Sequence, residues 1–160
     1  MKTFVVTDPQ IIEETIAKTK ICFLGMVQPD GTPYVIPMCF GFRDNTFYFH
    51  SGNTGSKLDI LARNPHVCIS LNNGESLIFQ HPDVACSYSM VSHSIVAHGE
   101  AVFVEDFDEK REALNIIMQH YTGRSFKYGV PAVNNVSIWK VKAEKICCKS
   151  FGNRAKRRYE

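Results

Sequence analysis

Residues 46 to 65 read Thr-Phe-Tyr-Phe-His-Ser-Gly-Asn-Thr-Gly-Ser-Lys-Leu-Asp-Ile-Leu-Ala-Arg-Asn-Pro. Aromatic side chains favour a strand, small polar and glycine residues a loop, and the Leu58, Ile60 and Leu61 spacing a short helix that Asn64 and Pro65 close. A chain forced from extended to helical within so few residues turns its loop amides toward one point. Amides freed by Gly52 and Gly55, the hydroxyls of Ser51, Thr54 and Ser56, the Lys57 ammonium and the positive helix end can converge on one phosphate-sized anion. The same residues also suit a plain turn in which a serine caps the helix and the lysine is solvated. Neither the phosphate-loop nor the dinucleotide glycine pattern is present.

The flanking segments place this junction in a β-rich chain. Thr7-Asp8-Pro9-Gln10 has the form of a helix start, Gln10 standing three residues after Thr7, and Ile11, Ile12, Ile16 and Ala17 give residues 9 to 19 an apolar face. Residues 21 to 27 form an apolar strand, and Gln28-Pro29-Asp30-Gly31 reverses the chain into an antiparallel partner over residues 32 to 42. Pro37 inside that partner requires a sheet edge, a bulge, or a backbone that faces something other than a strand. Arg43-Asp44-Asn45 turns the chain into the strand of residues 46 to 50, the third of a meander. Residues 67 to 71 read as a fourth strand with a weaker continuation to Phe79, residues 80 to 90 as an inserted loop, and residues 92 to 105 as a long strand bent or bulged at Gly99. Asp106 or Asp108 caps a helix whose Leu114, Ile117, Met118 and Tyr121 share a face, and residues 136 to 146 alternate as one final strand. Six strands joined mainly by antiparallel turns predict a mainly β fold with flanking helices, a small closed six-stranded antiparallel barrel.

At 160 residues, 44% of them hydrophobic, the chain suffices for one domain over 1–160, with residues 152 to 160 as a basic, solvated tail. A net charge of +2 from 18 basic and 16 acidic residues argues against a nucleic-acid binder. No stretch approaches the ~20 apolar residues of a membrane span, and no leader-like segment is present, so a cytoplasmic location and no membrane partner are expected. Cys22, Cys39, Cys68, Cys86, Cys147 and Cys148 lack any C-x-x-C pair and read as reduced and structural. No close His or Cys spacing suggests a metal.

Several motifs carry a family resemblance: Asp30-Gly31-x-Pro33-Tyr34-Val35-Ile36-Pro37, Tyr48-Phe49-His50-Ser51, Gly55-x-Lys57-Leu58-Asp59, Asn64-Pro65, and Ser92-His93-Ser94-Ile95-Val96 with Gly99. In this order and spacing, over residues 8 to 150, the chain resembles the flavin-binding split-barrel superfamily related to pyridoxamine 5'-phosphate oxidase, nearest its nitroimidazole-resistance branch. The resemblance implies a homodimer with a flavin, FMN or alternatively FAD, in a cleft between two subunits. It sets Val35, Ile36, Pro37 and Met38 along the ring and its side chain, Ser51 near the phosphate, Gly55 in the phosphate loop, and Ser56 and Lys57 on the phosphate. Ser94 falls where the oxidases carry a flavin-touching glutamine and would reach in from the partner subunit. Ser56 replaces an arginine of the oxidases, His93 and Val96 replace their paired arginines, and their C-terminal arginine and histidine cluster is not reproduced. These departures point away from pyridoxamine phosphate oxidation.

For chemistry the candidate is His50, whose ordinary pKa allows both protonation forms near neutrality. The resemblance places such a histidine beside the flavin; a structural histidine bonded to a backbone carbonyl is the other reading. His93 and His98 lie on opposite strand faces and are weaker candidates, while His66, His81 and His120 read as surface residues. The implied activity is reduction of a small aromatic substrate such as a nitroimidazole by reduced flavin. The alternatives are a pyridoxamine-phosphate-type oxidase and a non-catalytic flavin or haem-binding module.

Overall fold

The computed structural model describes residues 3–152 and the backbone of residues 157 and 158. Its elements are β1 (Thr3–Val6), α1 (Pro9–Lys18), β2 (Cys22–Val27), β3 (Pro33–Met38), β4 (Gly41–Arg43), β5 (Thr46–Ser51), α2 (Ser56–Arg63), β6 (His66–Phe79), β7 (Ser89–Val104), α3 (Phe107–Thr122), α4 (Val130–Asn134), β8 (Ser137–Lys142), β9 (Lys145–Phe151) and β10 (Arg157–Arg158). All pairings are antiparallel, in the order β3-β2-β6-β7-β8-β5-β4, with β9 against β7 and β1, and β10 against β6.

The long strand β7 holds the two halves together. Residues 92 to 98 pair with β9 and residues 101 to 104 with β8, while the other edge lies along β6. The chain leaves β8 and enters β9 through Ala143 and Glu144, whose amides donate to the carbonyls of Asn45 and His98 at 2.9 Å each. Gly99 lies beneath this crossing, where a Cβ atom would collide with the Lys142 carbonyl oxygen. The glycine therefore serves a close backbone approach and not the expected bulge, since β7 keeps its register there. The bulge instead lies in β6 between Asn73 and Ser76. It flips the parity of β6, so that Ile78 faces inward after Ile69 and Leu71.

The rolled sheet encloses a core of Leu24, Met26, Ile69, Leu71, Ile95, Ala97, Phe47, Phe49, Trp139 and Val141, with Phe49 stacked on Trp139 at 5.6 Å between centroids. A second, smaller cluster lies on the outer side of β5 and β8 under α3 and α4: Val104, Ala113, Leu114, Val133 and Ile138, with Tyr48 and Tyr128 packed against it.

The antiparallel split barrel is the fold that the resemblance implied, but the sheet is not the closed barrel expected from the strands and turns, and among the described residues it uses ten strand segments and not six. The terminal alternation read as one strand is two, β8 and β9, folded at Ala143 and Glu144. The third strand is not a meander neighbour of β3: β5 pairs with β4 and β8, and β3 and β4 stand at opposite ends of the ladder, linked by Cys39 and Phe40. β6 runs unbroken to Phe79, and residues 80 to 88 close a long hairpin. Asp8, not Thr7, caps α1 by accepting from Gln10 N at 2.9 Å; Asp106, not Asp108, caps α3 by accepting from Glu109 N at 2.9 Å. The buried face of α3 is Ala113, Leu114, Ile116 and Ile117, leaving Tyr121 at the rim. Among the described residues no helix is long and apolar enough to cross a membrane.

The link between β3 and β4 is fastened from outside. Phe40 is fully buried, its amide donates to the Tyr121 hydroxyl at 3.0 Å, and that hydroxyl donates to the Lys20 carbonyl at 2.7 Å. Burial pushes the Tyr121 phenol up to about 12, so it stays a donor. His120 is not a surface residue as expected: its Nε2 donates to the Thr19 carbonyl at 2.7 Å and its ring lies 4.5 Å from Phe40. Tyr121→Phe should therefore destabilise the protein by about 1–3 kcal/mol, since the Phe40 amide loses its acceptor. Urea unfolding would register this as a lower midpoint at unchanged slope, and an unaltered midpoint would refute it.

Candidate functional site

Helix α2 starts without a side-chain cap, unlike α1 and α3. Gly55 holds the N-cap position at φ 130° and ψ 157°, backbone angles that an L side chain rarely adopts. Its carbonyl accepts from Leu58 N at 2.9 Å and Asp59 N at 3.4 Å, which starts the helix. The amides of Ser56 and Lys57 have no acceptor among the described residues, and Lys57 makes no ion pair there. Neither serine caps the helix: Ser56 is its first residue, and Ser51 Oγ donates back to the Gly52 carbonyl at 2.8 Å. Gly52 has no positive φ, so the loop's unusual backbone rests on Gly55 alone. Asp59 is the acidic residue of this turn, and the positive character of the helix end comes from Lys57 and the open amides.

The loop before α2 is anchored by a residue that the motif reading passed over. Asn53 Nδ2 donates to the Asn134 carbonyl at 3.3 Å, and Ser137 Oγ donates to Asn53 Oδ1 at 3.1 Å, tying the loop to α4 and β8. No local pattern marks this, because its partners lie some eighty residues away and α4 itself carries no strong periodic signal.

Strand β3 is an edge strand with β2 as its one neighbour, as Pro37 required. Val35 is 60% exposed and shares the outer face with Pro33 and Pro37; Ile36 and Met38 face the barrel core. Prolines are tolerated where the missing N–H would point away from the neighbouring strand. The open edge thus presents residues 33, 35 and 37, and Val35 supplies the one amide donor among them. The four residues predicted along a flavin ring therefore divide: two offer side chains to the outer face, two brace the core, and Val35 offers backbone.

His50 stands one residue before Ser51 but on the opposite face of β5, in a row with Ile138 and Val104. Its Nδ1 is buried without a partner among the described residues, while Nε2 is not sealed in the same way. Burial holds the imidazole below its ordinary pKa of 6.5. Ser94 lies in the middle of the outer face of the other half, flanked by Asn72 of β6 and Lys149 of β9. Three strand spacings separate β7 from β3, roughly 14 Å, so one chain does not bring Ser94 to the edge of β3. The outer face between them exposes Phe23, Val27 and Val35, together with the cross-strand pair Leu77 and Met90.

A sheet rolled into two halves that share one long strand and stay open at a seam defines a split β-barrel. The pyridoxamine 5'-phosphate oxidase family model matches residues 8–147, and the chain belongs to that family of flavin-binding split barrels. A solved structure from Bacteroides thetaiotaomicron VPI-5482, described as a candidate 5-nitroimidazole antibiotic resistance protein, is similar at 46% identity and a TM-score of 0.86, with 99% of this chain and 92% of that one covered. The FAD and heme binding protein of Mycobacterium smegmatis is similar in fold at 14% identity and a TM-score of 0.81, covering 96% of this chain and 75% of that one. So is the flavocytochrome Anf3 of Azotobacter vinelandii, at 16% identity and a TM-score of 0.77, covering 98% and 72%. Comparison with curated proteins gave no match.

The state of His50 can be tested without any ligand. Below pH 6.5 an unfolded His50 binds its proton while the folded one resists it, so stability is lost as pH falls from 6.5 through the lower folded value. Thermal melts at pH 7.5 and 5.5 should show a smaller acid-induced drop in Tm for His50→Gln than for the wild type. Equal drops would mean that the imidazole titrates alike in both states.

Proposed function

We propose that the protein is a flavin-dependent reductase of small nitroaromatic compounds, working as a homodimer with FMN bound between two copies of the chain. The observation that carries this reading is the uncapped amino end of α2, where the Ser56 and Lys57 amides and the Lys57 ammonium stand open. Their donor set fits a phosphate monoester, which needs several convergent N–H groups and one cation. Ser51 would add its hydroxyl by turning from the Gly52 carbonyl.

The edge of β3 suits the cofactor's ring. Val35 presents one N–H and one C=O between two prolines, which matches a heteroaromatic edge carrying both acceptor and donor atoms and discourages the addition of another strand. The exposed apolar face of Phe23, Val27, Val35 and Pro37 suits a second copy of the chain, which would cover it and bring its own Ser94 toward the ring. A bound flavin would supply two electrons at a time, enough to take a nitroarene to a nitrosoarene and water. His50, neutral at pH 7 with Nε2 open, would donate a hydrogen bond to the substrate's nitro group, while the protons of the reduction would come from the reduced flavin and water. The 46% identity to a protein described in terms of 5-nitroimidazole resistance favours this substrate class over pyridoxamine phosphate. Ser56, His93 and Val96, where the oxidases have arginines, favour it too.

The absorbance spectrum of the purified protein, with mass analysis of what denaturation releases, should identify FMN, with FAD as the other flavin to test for. Lys57→Ala should weaken retention of the flavin by ~1–3 kcal/mol, the worth of one charge-assisted hydrogen bond, with the fold intact. Undiminished yellow colour after prolonged dialysis would overturn the phosphate assignment. Single-turnover reaction of the chemically reduced holoprotein with a 5-nitroimidazole should bleach the nitro absorbance, and His50→Ala should slow it by about 10²-fold or more. A bound flavin with no nitro reduction would favour a storage or sensing role.

A further inference from the structure

The segment between α3 and α4 is firmly placed. Phe126 N donates to Asn115 Oδ1 at 2.8 Å, and the Arg124 guanidinium lies 5.5 Å over the Phe126 ring. Two residues further on, Tyr128 packs on the cluster of Val104, Leu114, Val133 and Ile138. Ile138 is the cross-strand partner of His50, and Val104 is the next residue of the same row. Tyr48, two residues before His50 on the same face, packs on this cluster as well. Tyr128 thus covers the side of β5 on which His50 lies.

Two polar atoms on this side are buried without a partner among the described residues: His50 Nδ1 and the Tyr128 hydroxyl. An orphan donor or acceptor inside an apolar cluster is costly, and two that can satisfy one another rarely stay apart. The chemistry is complementary. Burial holds the Tyr128 phenol above its ordinary pKa, so it keeps its proton to donate, and burial keeps His50 neutral, with one ring nitrogen free to accept.

We infer that Tyr128 is a positioning residue for His50: its hydroxyl reaches Nδ1 through one bridging water and so fixes the imidazole as the Nε2–H tautomer. The consequence rests on the proposed reductase reading. With the proton held on Nε2, His50 meets a substrate as a hydrogen-bond donor, not as a base. The structural claim itself stands without that reading and is tested apart from it.

The test uses long-range proton–nitrogen correlation spectra of histidine-labelled full-length protein, without added flavin, which distinguish a protonated from an unprotonated ring nitrogen. His50 signals are assigned by their loss in His50→Gln. In the wild type at pH 7.5, Nδ1 of His50 should appear unprotonated and Nε2 protonated. Tyr128→Phe keeps the ring in the cluster and removes only the donor; the tautomer ratio should move toward Nδ1–H by on the order of fivefold, the worth of one neutral hydrogen bond. An unchanged His50 pattern in Tyr128→Phe overturns the inference, as does a wild-type spectrum with the proton on Nδ1. If Tyr128→Phe does not fold, ring-fluorinated tyrosine incorporated into the wild-type chain makes every phenol a stronger donor at nearly constant shape. It should displace the His50 Nδ1 resonance, and a stationary resonance again overturns the inference. Failure to bind flavin would defeat the proposed function and leave these outcomes as they are.

Discussion

The crossing of the chain over β7 at Gly99 is the constraint on which the architecture depends. Sixteen residues of β7 serve both halves of the barrel, and its far edge can change partner from β9 to β8 only where the Lys142 carbonyl passes through the space a side chain would fill. That change of partner allows the sheet to roll and still remain unclosed. It places β5 in one half and β3 in the other, with Cys39 and Phe40 as the covalent link between the two ends of the ladder. The Tyr121 hydroxyl and the His120 ring fasten that link to α3.

The candidate site follows from this division. The unpaired edge of β3 and the uncapped start of α2 are both unfinished pieces of secondary structure, and each leaves backbone amides without acceptors. Elsewhere such loose ends are closed locally in several places: Asp8 and Asp106 cap the two longest helices, and Asn53 ties its loop to α4. The contrast matters because unmet backbone donors beside an apolar outer face are what a planar, phosphate-bearing molecule would satisfy. His50 points to the face of β5 that carries the cluster under α3 and α4, in a row with Ile138 and Val104, and not toward the face of Ser51 that follows it in the chain.

Legibility in the sequence tracked the range of the forces involved. Strands β2 and β5 and the α2 loop are announced by contiguous apolar runs and turn residues, and the edge position of β3 is announced by Pro37, whose missing donor acts over a single hydrogen bond. Strand β1 stayed hidden because its four residues are largely exposed and gain their order from pairing with β9. The fold between β8 and β9 stayed hidden because alternation continues through Ala143 and Glu144, and only contacts to Asn45 and His98 reveal the turn. His120 looked like a surface residue since helical spacing gives a face and not what meets it.

From the sequence alone come the antiparallel mainly β class, the strand-loop-helix junction with Gly55 and Lys57, and an edge strand interrupted by proline. These follow from backbone sterics and local periodicity, which operate within a few residues. Pairing of distant segments settled the rest: that Gly99 lies beneath a crossing of the chain, that β3 and β5 lie in different halves, that Ser94 is three strands from the edge of β3, and that His50 shares a row with Ile138 and Val104. Register and close packing between residues far apart in the chain are fixed when the sheet rolls, because only then do complementary surfaces exclude water together.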